Sequence, residues 1–231
     1  MLRSITIVLL ASVCAMPTCG CGWGKKDDQQ TSSKKGGERP TPDPFETSED
    51  PPLKANTRFA AGQLAESQRN FPAAIVQYQE ALKLDPNHQG SLFRLGTVYT
   101  ELRRFDDAIS SWKRYLKVTN NSAAGYNNLA LTYQAAGRFD EAEQAFRMAI
   151  EREPENASFR TNYGVMLASR GRIDEAVTQL SVVRTPAEVH YNLGSVFEQM
   201  GKKDEAKAYY RKALELDPGL HDARGRLEAM K

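Results

Sequence analysis

The stretch Tyr126-Asn-Asn-Leu-Ala-Leu-Thr-Tyr133, followed by Gly137-Arg-Phe-Asp140 and Ala142-Glu-Gln-Ala-Phe146-Arg-Met-Ala-Ile150, carries two apolar blocks on either side of a glycine. Tyr126, Leu129, Ala130 and Tyr133 fall at i, i+3, i+4 and i+7, and Ala142, Ala145, Phe146, Ala149 and Ile150 repeat the pattern. That spacing places each set on one face of a helix. Gly137 suits the left-handed conformation that ends the first helix, and Asp140 is expected to accept a hydrogen bond from the start of the second. The break returns as Gly171-Arg172-Ile173-Asp174 and Gly201-Lys202-Lys203-Asp204, with Phe71-Pro72 in its place earlier on. Proline fits a first helical turn. Asp85-Pro86, Glu153-Pro154 and Asp217-Pro218 close second helices, so the unit is an antiparallel helix pair.

The unit repeats. Its first small residue falls at Gly62, Gly96, Ala130 and Gly164, and its alanine at Ala74, Ala108, Ala142 and Ala176, in steps of 34; Gly194 and Ala206 come four residues early. A fixed period of this length predicts an all-α solenoid of about five antiparallel helix pairs, each burying its apolar face against its neighbours. The units are Ala55–His88, Gln89–Ser122, Ala123–Asn156, Ala157–Pro186 and Ala187–Leu220, with a polar capping helix over 221–231. The two small series are expected to face each other, with Tyr99, Tyr133, Phe146 and Tyr210 filling the space towards the next unit. Asn120 replaces the proline of the second unit, which predicts a helix running on there. Tyr115 and Val183 stand where other units are small, and the shortened fourth unit predicts a redirected junction with the fifth.

The chain has 231 residues, 40% hydrophobic and 26% charged, and a net charge of only +2. No broad field calls for nucleic acid. Cys14, Cys19 and Cys21 all lie in the first 21 residues, so the repeat body can hold neither a disulfide nor a thiolate metal site. Residues 1–21 read as a processing segment: Arg3, then the apolar run Ser4–Met16, then Pro17 and Gly20. The run is shorter than the roughly 20 residues a membrane-spanning helix needs and fits an export signal. A cysteine just after such a run resembles the lipidation signal of bacterial lipoproteins. Cys19 fits better than Cys21, and an ordinary cleaved signal cut at Ala15 is the alternative. Residues 22–54, rich in charge, proline and glycine, cannot bury enough apolar surface to order themselves. They read as a disordered tether reaching about 30 Å.

The repeat resembles the tetratricopeptide repeat family. Leu95-Gly96, Tyr99, Ala108, Trp112 and Leu116 carry the likeness in the second unit, and Leu193-Gly194, Phe197, Ala206, Tyr210, Ala213 and Pro218 in the fifth. The resemblance implies a superhelix whose first helices line an inner face, with the fifth and sixth residues of each unit projecting into it. The sixth residues are Ala60, Arg94, Asn128, Asn162 and Asn192; the fifth are Phe59, Phe93, Asn127, Thr161 and Tyr191; Leu131, Val165 and Ser195 stand at the ninth. Asn128, Asn162 and Asn192, with Arg94, Asn127 and Tyr191, are the candidate peptide-binding residues, because carboxamides can pair with the N–H and C=O of an extended chain. A structural role for the asparagines, bonding a neighbouring helix, is the other reading. Some relatives grip a terminal carboxylate with paired lysines; here those places hold Phe59, Gln63, Arg94, Ala124 and Asn128, and that clamp is missing.

His88, His190 and His221 are scattered at unit boundaries, and no nucleophile–base pair, phosphate loop or metal-ligand spacing occurs. The expected protein is a non-enzymatic scaffold with no cofactor, metal or small-molecule substrate. It would bind a protein or peptide ligand and be held to a membrane through an N-terminal lipid on Cys19. A cell-envelope assembly factor, such as a pilus or secretion-machine lipoprotein, is the alternative.

Overall fold

The computed structural model describes residues 54–230. The processing segment, Cys19 and all of the tether but Lys54 lie outside the described residues. Within them the chain is helical, without strands. The pairs are α1 (Ala55–Ser67) with α2 (Phe71–Leu84), α3 (Gln89–Glu101) with α4 (Phe105–Val118), and α5 (Ala123–Ala135) with α6 (Phe139–Arg152). They continue with α7 (Ala157–Ser169) and α8 (Ile173–Ser181), then α9 (Pro186–Gln199) and α10 (Lys203–Leu216), and end on α11 (His221–Ala229).

Each first helix stops in the same way. Gly137, at φ +76°, donates its N–H to Gln134, and Arg138 reaches back to the Tyr133 carbonyl. This is the paired 6→1 and 5→2 closure that a left-handed residue permits. Arg69 and Arg103 take that conformation in the first two units, where no glycine is present. Second helices then start two residues earlier than a cap at Asp140 would place them. Arg138 holds the cap position without a capping bond, and Asp140 lies inside the first turn, so it does not cap the helix. Its charge, and that of Glu141, instead meet the exposed N–H groups and the positive end of the helix dipole. Arg104, Arg138 and Arg172 each fold forward onto an acid three residues on, at Asp107, Glu141 and Glu175. Most first helices have side-chain caps, from His88, Ser122, Asn156 and Thr185.

The close approach within a pair differs from the expected small-on-small contact. Gly62, Gly96, Gly164 and Gly194 lie under Tyr78, Trp112, Leu180 and Tyr210 of their own second helices. A methyl group on Gly194 would stand 2.8 Å from the Tyr210 ring. The alanine series, Ala74 to Ala206, is fully buried, but it is the large residue four positions further on that the glycine accommodates. Nor does α4 run on through Asn120. It ends at Val118, because Asn120 and Asn121 both turn left-handed (φ +51° and +58°) and the Asn121 N–H closes on Leu116. Asparagine enters that region more readily than most residues.

The four-residue contraction falls on α8, which has 9 residues against the 14 of α2, α4, α6 and α10. A reciprocal Thr185–Glu188 capping box starts α9 straight afterwards. Consecutive first helices touch (α3 with α5, α5 with α7, α7 with α9), most extensively at α7–α9, while consecutive second helices make at most marginal contact. The stack therefore bends with its first helices on the inside.

Candidate functional site

With the first helices on the inside of the bend, their sixth, ninth and twelfth residues, half-buried in the middle units except for buried Ala168, are the candidate floor of a groove. Arg94, expected to be its main cation, is already engaged. Its Nε donates to Glu66 Oε2 at 2.9 Å and its Nη2 to Oε1, while the Tyr78 hydroxyl donates to the same carboxylate at 2.6 Å. Burial first, and the Glu66 contact next, push the Tyr78 phenol above its usual value. The arrangement recurs at the other end, where Tyr210 donates to Glu198 at 2.6 Å and Arg226 of α11 lies 3.6 Å from it. Both triads have the same spacing, so Arg226 is the counterpart of Arg94 and α11 docks as a first helix would. Glu66, Tyr78 and Glu198 were not among the candidates. Their shared offsets along the repeat were the signal that could have found them.

Between these ends the floor carries Thr97, Asn128, Leu131, Gln134, Asn162, Val165, Asn192 and Ser195, with no ionisable side chain. The three asparagines are not alike. Asn162 Nδ2 donates to Oδ1 of buried Asn127 at 3.0 Å, tying α7 to α5, and Asn192 Nδ2 donates to the Glu188 carbonyl of its own helix. The Asn128 amide has no hydrogen-bond partner among the described residues, and Gln134 Oε1, one turn and a half further on, is buried without one. Tyr191 packs on Tyr210 with ring centres 5.7 Å apart, and Phe93 is wedged edge-on against Trp112 and Tyr115. The structure thus keeps Asn127 as a buried tie between helices, leaves the half-buried Asn128 amide without a hydrogen-bond partner among the described residues, and leaves Asn162 and Asn192 each with an unused amide oxygen.

The outer face is different. Where second helices spread apart, a cleft of about 420 Å³ opens between α6 and α8 over Tyr163 and Leu167, and one of about 320 Å³ between α2 and α4 over Leu95 and Tyr99. Glu143 beside the larger cleft accepts from Arg172, Arg147 and the Tyr163 hydroxyl, and Arg172 above all holds its carboxyl below the usual range. No group of three or more His, Cys, Asp or Glu is gathered as a metal site among the described residues. None of their helices is long and apolar enough to cross a membrane.

Four family models, each described as Tetratricopeptide repeat, match residues 55–88, 89–155, 127–186 and 187–220. Among solved structures, a crystal structure of the MamA protein is 27% identical, covers 70% of this chain and 90% of its own, and superposes with a TM-score of 0.56. YrrB, described as a TPR protein with an unusual peptide-binding site, is 21% identical over 76% of this chain and 92% of its own, at 0.54. TTC0263, a thermophilic TPR protein in Thermus thermophilus, is 23% identical over 76% and 98%, at 0.52. The last two speak to the fold alone. No curated protein matches the chain.

Proposed function

The chain belongs to the tetratricopeptide repeat family, and on that premise we propose that it is a non-enzymatic scaffold holding an extended segment of a partner protein along its inner face. The observation that carries the reading is the uncharged middle of the groove. There Asn128 keeps its whole bonding capacity, and Asn162 and Asn192 keep acceptors beside half-buried Leu131 and Val165. A polypeptide backbone offers complementary donors and acceptors at regular intervals whatever its side chains. An apolar side chain on the segment would cover Leu131 and Val165.

The test is a photocrosslinking residue placed at Val165 on the inner face or at Thr178 on the outer. A defined partner crosslinked at Val165, and lost in an Asn128→Ala/Asn192→Ala variant with an unchanged melting curve, supports the groove. Asn162 is spared, because removing it would strand Asn127. Equal crosslinking in the variant, or crosslinking at Thr178 alone, rejects the reading.

The sequence at 1–21 further supports export with a lipid on Cys19, and a tether at 22–54 keeping the solenoid near a membrane. The intact mass of the protein from membranes tests this: an acylated chain beginning at Cys19 is expected, and an unmodified chain beginning after Ala15 would exclude it.

A further inference from the structure

The contraction of the fourth unit brings a cation to the edge of the groove. Counted from the start of each unit, Arg184 stands where Leu82, Leu116, Ile150 and Leu214 stand elsewhere. Those residues are buried or half-buried against their neighbours. With α8 ending at Ser181, Arg184 falls in the short link to α9, and its side chain turns towards α7. In the second unit the matching space is filled by Phe93 and Tyr115, whose rings lie 5.6 Å apart. Here the fifth residue is the small Thr161, and Arg184 Nε donates to its hydroxyl at 3.3 Å.

The guanidinium is only loosely paired. Its Nη1 lies 3.6 Å from Glu188 Oε1, beyond hydrogen-bond reach, and its side chain is 34% exposed. Glu188 is otherwise occupied: its Oε2 accepts from the Thr185 N–H and hydroxyl at 2.8 and 3.0 Å, closing the start of α9. The Nη groups therefore make no hydrogen bond among the described residues, in contrast to Arg94, Arg138 and Arg172, each fixed on a carboxylate. Thr161 adjoins Asn162, and the Glu188 carbonyl holds Asn192. Arg184 thus stands at the border of the amide row, between α7 and α9.

Building on the groove reading above, we propose that Arg184 determines specificity by receiving a carboxylate of the bound segment, from an acidic side chain or a C-terminus. A guanidinium whose Nη groups make no hydrogen bond, only a loose ion pair with Glu188, matches a carboxylate in a two-point contact. Docking there leaves the Thr185–Glu188 cap intact. The place is distinct from the residues at which other family members grip a terminal carboxylate, which here are neutral or, at Arg94, consumed.

The test pans random peptide libraries, with free and with amidated C-termini, against the full chain and its Arg184→Gln and Arg184→Lys variants, with melting curves alongside. The parent should enrich peptides with a carboxylate at one register. Arg184→Gln should weaken them about tenfold or more, and Arg184→Lys less. Loss on amidation assigns the contact to a C-terminus; loss on replacing Asp or Glu by an amide assigns it to a side chain. Peptides held equally by the parent and Arg184→Gln would overturn the role of Arg184 and leave the groove standing. If the parent enriches no peptide, the groove reading itself falls, and this inference with it.

Discussion

Gly96 shows what a single position contributes. It lies beneath the Trp112 indole, and a methyl group there would fall inside van der Waals contact of a ring that is 2% exposed and has no room to withdraw. The third unit has Ala130 and Phe146 at the corresponding positions of the repeat, both fully buried. The small residue and the ring above it are therefore chosen together, and helix spacing follows from the pair. Gly96→Ala should destabilise by about 1–3 kcal/mol through overpacking. Adding Trp112→Phe recreates the Ala130–Phe146 combination, so the double variant should be more stable than the sum of its single effects predicts. Denaturant titration of the four proteins measures the coupling. Strict additivity would mean that the two residues do not share the contact.

At the scale of the element, the α9–α10 pair holds a titratable group in an unusual place. His190 stacks on Tyr209 at 5.9 Å, and its buried Nδ1 has no partner among the described residues. Burial first, then the charge of Lys212, hold its pKa below the usual imidazole value. The neutral ring is thus favoured by folding. Above the usual value, about 6.5, neither folded nor unfolded chain is protonated and the pair has its full stability. As pH falls, the unfolded chain takes up the proton first, so stability declines until the folded value is reached and then levels off. The hydrogen-exchange protection of α9 and α10, taken relative to the intrinsic rate at each pH, should fall as the pH drops below about 6.5, and His190→Phe should flatten that response. An unchanged slope in the variant would assign the effect elsewhere. The same scale shows what the sequence could convey. The helix pairs and the Gly137, Gly171 and Gly201 stops were legible because periodicity and left-handed φ are local properties. The end of α4 was not, because Asn120 reads as a missing proline while its own tolerance of φ +51° decides the outcome. Arg94 was hidden for another reason: its charge is cancelled by Glu66 on the preceding first helix, and no local pattern displays such a partner.

Over the whole molecule, stability is a chain of neighbour contacts, with a seam near its C-terminal end. The large core cluster runs from Ala74 through the α9 residues Val189, Leu193 and Val196, whereas Ala206, Tyr210, Ala213 and Ala223 form a separate cluster of α10 and α11. The division falls across the α9–α10 pair, whose helices still meet closely where Gly194 lies under Tyr210, while the contracted α8 leaves α9 leaning on α7. At the far side α11 docks through Ala223 and Arg226, and Glu228 holds the place that Gly194 takes in α9. Groups linked only through nearest neighbours should open separately. Ala223→Lys forces an unpaired charge into the smaller cluster and should release α11. Hydrogen exchange should then rise about tenfold or more in α10 and α11 while α3 to α7 keep their protection, because their contacts are untouched. A uniform loss of protection from α2 to α11 would show that the seam does not divide the molecule, and that all the pairs unfold as one.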